Sequence, residues 1–99
     1  MKPGTRDVPV HVRIDGAELD ALHELTGWLA ESYGLDGRIE RYRGTRPIAL
    51  HRWDLDLILD VLDTAIPDAE AGKPSLPDAA PLRALRTRLR DVRAAEGWT

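Results

Sequence analysis

Two leucine-lined stretches separated by a proline-rich segment constrain this chain more than any other feature. Leu55, Ile58, Leu59, Leu62, Ala65 and Ile66 recur at three- and four-residue spacing, the period that gathers side chains on one helix face. Leu82, Leu85, Leu89 and Val92 form a second stripe, only about 80° wide on a helical wheel, which suits one partner helix. Between them, residues 67–81 carry Pro67, Pro74, Pro77 and Pro81 with Gly72 and Ser75, a composition that cannot sustain regular structure throughout. Pro67 is expected to end or kink the first helix. Residues 54–96 therefore read as an antiparallel helical hairpin with a connector at 67–81, opened by Asp54 as cap or first-turn acid.

The first half follows a different period. Val8, Val10, Val12 and Ile14 alternate with Pro9, His11 and Arg13, the pattern of a strand with one buried face, so 8–14 reads as a strand. Asp15 and Glu18 have the spacing of a reciprocal cap. A helix over 17–33 is predicted to follow, with Leu19, Leu22, Leu25, Leu29, Ala30 and Tyr33 on one arc and Gly34 at its stop. Asp36 and Gly37 then read as a turn, 38–43 as a strand, and 46–50 as a second short strand with Pro47 at its start or edge. The expected class is α+β: a strand-helix-strand(-strand) unit over 8–53 followed by the hairpin, in one small domain of 99 residues. With the 17–33 helix as right-handed crossover, strands 8–14 and 38–43 would lie parallel.

Composition then removes whole classes of chemistry. The chain is 42% apolar, enough for a small core, and no apolar run is long enough to span a membrane. Met1, Lys2 and Pro3 lead into polar residues rather than an apolar leader, so the expected compartment is the cytoplasm. There is no cysteine, which excludes disulfides, thiolate catalysis and cysteine-ligated metal. Lys2 and Lys73 are the only lysines among 14 basic residues, and Asn, Gln and Phe are missing, a bias typical of GC-rich bacterial coding. Arginine abundance alone is therefore no argument for nucleic-acid binding.

Candidate catalytic or metal-binding constellations are sparse. His11, His23 and His51 fall on a strand, a helix edge and a loop, with no His-x-x-x-His or Glu-x-x-His pair. Ser32 and Ser75 lack a nucleophile-elbow setting, and the glycines at 34, 37 and 44 are spaced for turns rather than for phosphate loops. Asp56, Asp60 and Asp63 share a helix face, but a rigid helix cannot wrap one Ca²⁺ as a loop does. Arg83, Arg86, Arg90 and Arg93 flank the facing stripe in the same rotational sense, so acids and arginines are expected to meet along the hairpin. The expectation is no enzyme, no cofactor and no bound metal.

Two binding surfaces remain. Trp28 lies about 130° from the centre of its helix's apolar arc. Trp53, just before its helix, and Trp98, near the C-terminus, join it as amphipathic aromatics of the kind enriched in protein interfaces. Leu57 and Val61, outside the main stripe of 54–66, extend that apolar surface. Trp28 and Trp98 fit equally a role in packing at a sheet edge or helix end. The second surface is Arg38, Arg41, Tyr42, Arg43 and Arg46, joined by Arg52, where cations could grip phosphates and an aromatic could stack a base. Two acidic helices and a pI near 5.5 stand against it.

Val10 to Gly16, followed by Leu22, Leu25, Trp28-Leu29 and Leu35-Asp36-Gly37-Arg38-Ile39, resembles the small effector-associated constant component of bacterial conflict systems. The likeness covers residues 8–40 and is short and mostly structural. It implies a non-enzymatic adaptor that docks defence effectors through protein contacts. The function expected from the sequence is thus a small bacterial protein acting by protein–protein contact, as adaptor, assembly factor or inhibitor, with itself or a larger protein as partner. Nucleic-acid binding through 38–52 is the alternative, and no membrane contact is expected.

Charge is patterned along the chain. The net charge of -3 resolves into +2 over residues 1–14, -6 over 15–37, +4 over 38–53, -6 over 54–72 and +3 over 73–99. Such alternation favours packing in which successive elements neutralise each other.

Overall fold

The computed structural model describes residues 9–26, 35–74 and 76–95, and it is an α+β fold of one two-stranded antiparallel sheet and four helices. Strand β1, Val10–Val12, and strand β2, Ile48–Leu50, pair with Val10 opposite Leu50, His11 opposite Ala49 and Val12 opposite Ile48. The alternation read in the sequence decides which face is which. Val10, Val12, Ile48 and Leu50 point into the core, while His11 and Ala49 share the opposite face.

Helix α1, Gly16–Glu24, is shorter than the period suggested. Leu25 takes the cap position, its N–H bonding back to the Leu22 carbonyl at 2.9 Å, and the Thr26 hydroxyl donates to the His23 carbonyl at 3.0 Å, which closes the last turn. The remainder of the expected helix, from 27 to 33, lies outside the described residues, as do Trp28 and Trp98. Asp15 occupies the N-cap without a side-chain cap bond. Its carboxylate pairs instead with Arg13 at 3.1 Å, and Glu18 is drawn away to Arg88 at 2.7 Å, so the reciprocal cap does not form.

The expected strand at 38–43 is a helix. Helix α2, Leu35–Arg41, buries Leu35 and Ile39 and leads to buried Tyr42, a four-then-three spacing that is helical. Reading Asp36-Gly37 as a turn concealed the first member of that series. Both helices lie in the connection between β1 and β2, so the sheet is antiparallel rather than parallel.

Helix α3, Arg52–Glu70, runs three residues beyond Pro67. The proline ring sits at an exposed position, and although it cannot donate within the helix, its own carbonyl still accepts the Ala71 N–H at 3.1 Å. Helix α4, Ala79–Ala95, returns antiparallel to it. Its Leu82, Leu85 and Leu89 are fully buried in the same core that takes Leu55, Ile58, Leu62 and Ala65 of α3. The narrow α4 stripe serves α1 as well as α3, which seats the hairpin on the α+β unit rather than projecting it. Arg88 makes that joint polar at its rim, bonding Glu18 and the Arg13 carbonyl.

The acid–arginine pairing expected along the hairpin is present. Glu70 meets Arg83 at 2.9 Å, Asp63 meets Arg86 at 3.4 Å and Arg90 at 3.0 Å, and Asp56 meets Arg93 at 2.7 Å. All are at least partly solvated, so they set register more than stability.

Leu85→Ala should lower unfolding free energy by about 2–5 kcal/mol in a denaturant titration, because it hollows the seam between helices. Asp63→Asn should cost less than about 1 kcal/mol, with the difference shrinking at high salt. Equal losses in the two variants would show that the rim, not the seam, holds the hairpin.

Candidate functional site

Tyr42, the residue after α2, is buried, with only 8% of its surface exposed, and its hydroxyl donates to the Arg46 carbonyl while accepting the Ile14 N–H at 3.4 Å. That phenol folds the loop after α2 back over the end of β1. Gly44 makes the fold-back possible: its φ of +78° is disfavoured for residues with a Cβ, and a Cβ there would stand 2.9 Å from the Ile14 carbonyl oxygen. Arg13 Nε fastens the same turn from outside by donating to the Gly44 carbonyl at 3.2 Å.

This fold-back shapes an open groove of about 690 Å³. Its walls are Arg38 and Arg41 from α2, Tyr42, Arg43, Thr45, Arg46 and Pro47 from the loop that follows, and His11, Ile48 and Ala49 from the sheet. Among the described residues no carboxylate lines it. The arginines singled out in the sequence, Arg38, Arg41, Arg43 and Arg46, thus come together around one concavity, while Arg52 on α3 stands outside the lining.

Their roles differ. Arg38 is committed to structure: one arm reaches Asp54 Oδ2 at 3.2 Å and the other the Ala49 carbonyl. Asp54 is 4% exposed and also accepts the His51 N–H at 3.0 Å, so a buried carboxylate is satisfied by two elements at once. Arg41, Arg43, Arg46 and His11 are exposed, and none has an ion pair among the described residues. Guanidinium groups that share a groove without counter-charge repel one another, and an anion entering between them relieves that repulsion.

The apolar set from the sequence is not gathered in this way. Trp53 is 49% exposed and stacks on His51, ring centroids 4.6 Å apart and planes 2° from parallel. Leu57 is half-buried against the core, Val61 is buried within it, and Trp28 and Trp98 fall outside the described residues. The histidines serve separate places: His11 in the groove, His51 under Trp53, and His23 bonded through Nε2 to the carbonyls of Ile39 at 2.9 Å and Tyr42 at 3.1 Å. Among the described residues no cluster of three or more His, Asp or Glu could hold a metal ion, and no helix is long and apolar enough to cross a membrane.

Sequence reasoning missed His11 and Thr45 as members of the groove. The alternation 8–14 already turned His11 away from the core; its partner was hidden because β1 was paired with the wrong segment.

Asp54→Ala should lower stability by about 1–3 kcal/mol in thermal or denaturant unfolding, since Arg38 and the His51 N–H both lose their acceptor. An unchanged midpoint would mean that the Asp54 anchor is dispensable.

No protein-family model matches the chain, and neither a curated protein nor a solved structure matches it.

Proposed function

We propose that this is a non-enzymatic binding protein of the cytoplasm whose groove between α2, the 43–47 loop and the sheet grips the phosphate backbone of a nucleic acid. One observation carries the reading: Arg41, Arg43, Arg46 and His11 converge on a groove that no carboxylate lines among the described residues. Guanidinium groups donate hydrogen bonds in a fork that fits phosphate oxygens, and they stay protonated, so they hold an anion rather than trade protons with it.

Part of the acidic composition that opposed this reading is paired internally. Asp56, Asp63 and Glu70 of α3 are engaged by arginines of α4, and Glu18 by Arg88. With a screening length of about 8 Å at physiological salt, paired acids contribute little field at the groove.

A second reading is favoured by Trp53, which stands exposed with half-buried Leu57 one turn further along α3. A protein partner, or a second copy of the chain, would cover such a face. The resemblance of residues 8–40 to an effector-associated component supports the same adaptor role.

Fluorescence anisotropy with generic DNA and RNA oligonucleotides, titrated against salt, separates the two. Three arginine–phosphate contacts should give a log–log salt slope of about -2 to -3, and Arg43→Glu/Arg46→Glu should abolish binding. Undetectable affinity at the lowest salt would overturn the nucleic-acid reading. Light scattering in which a wild-type oligomer becomes a monomer on Trp53→Glu would establish self-association instead.

A further inference from the structure

Resting on the groove reading, we infer that the ligand is single-stranded nucleic acid and that the outer face of Trp53 is the platform on which an unpaired base stacks. Among the described residues, Trp53 is the large apolar side chain left exposed, and exposing it costs the fold free energy with no packing return. Its surroundings give the exposure a use. The imidazole of His51 lies parallel beneath the indole, covering one face, yet 49% of the residue is exposed, which leaves the opposite face to solvent.

The platform is held in place before any ligand arrives. Asp54 accepts the His51 backbone N–H at 3.0 Å and lies 3.5 Å from His51 Nδ1, fixing the residue on which Trp53 rests. A ring already ordered in its binding position loses little side-chain freedom on stacking.

The same carboxylate ties the platform to the groove. Arg38, a groove wall, is held by Asp54 and by the carbonyl of Ala49, itself a lining residue four positions before Trp53. One wall of the groove and the ring beneath the indole thus hang on the same carboxylate. Bases in a duplex already stack on each other and cannot offer a free face, whereas a single strand presents backbone charge and an unpaired ring together. Tyr42, the aromatic within the basic segment itself, is unavailable for this, being buried with its hydroxyl engaged.

The test uses the full chain in anisotropy titrations against a labelled single-stranded oligonucleotide, the duplex of the same sequence, and an abasic strand of equal length. The single strand should bind more tightly than the duplex. Trp53→Ala should weaken single-strand binding roughly 5- to 150-fold while leaving the salt slope unchanged, Trp53→Phe should retain most of the affinity, and the abasic strand should show the same weakening with the unaltered protein. Duplex binding as tight as single-strand binding, or abasic binding as tight as that of the intact strand, would overturn the inference without recourse to any variant. Binding lost in Arg43→Glu/Arg46→Glu but indifferent to Trp53 and to base removal would leave the groove reading standing and remove this one. No binding of any oligonucleotide would remove both. Competition by a poly-glutamate peptide as effective as that by the unlabelled strand would make the ligand an acidic protein segment and overturn the proposal.

Discussion

A single buried carboxylate joins three parts of this fold. Asp54 sits in the first turn of α3, accepts from the backbone just before it and pairs with Arg38 of α2, whose other arm caps the Ala49 carbonyl of β2. Burying such a charge without partners would cost several kcal/mol, and the cost is offset here only because all three elements arrive together. The position of α2 against the sheet, and with it the wall of the groove and the ring under Trp53, depends on that convergence. A two-stranded sheet of three-residue strands is too small to be stable alone, so the helix at its edge is part of what makes it a sheet at all.

Charge is sorted rather than merely balanced. Asp56, Asp63 and Glu70 of α3 find arginines on α4, and Glu18 on α1 finds Arg88, so much of the charge along the hairpin and its joint to α1 is paired. Among the described residues, the 38–53 segment commits Arg38 to an internal ion pair and presents Arg41, Arg43 and Arg46 around a concavity. A net charge of -3 therefore describes the chain but not its surface, where a positive region is set apart from paired ones.

Much of the fold was legible because its periods are long. Two leucine stripes specified the hairpin, its direction and even the acid–arginine flanks, since each repeats over several turns. Short elements carried too little signal. Leu35, Ile39 and Tyr42 hold a helical spacing, but Gly37 and the arginines between them mimic a turn leading into a strand. The α1 pattern stayed apolar past the point where the Thr26 hydroxyl closes the turn, a local bond that no periodicity encodes. At the site, the arginines were visible as a cluster, whereas the commitment of Arg38, the burial of Tyr42 and the entry of His11 all follow from tertiary pairing. Val61 shows the same limit: it lies off the main stripe of α3, yet α3 meets the rest of the molecule on more than one side and the residue is buried.

The sheet register carries a consequence for how the molecule assembles. Val10 pairs with Leu50 and Val12 with Ile48, partners about 40 positions apart, while α3 and α4 are joined by the eight residues 71–78. Loop-closure entropy makes the nearby helices the inexpensive first encounter and the distant strands a late one. The groove belongs to the late part, because its floor is the β1–β2 pair and its wall hangs on Arg38. A chain with its hairpin formed and its strands still apart carries every arginine of the site but no concavity to hold them in, so the groove marks completion of the fold rather than its beginning.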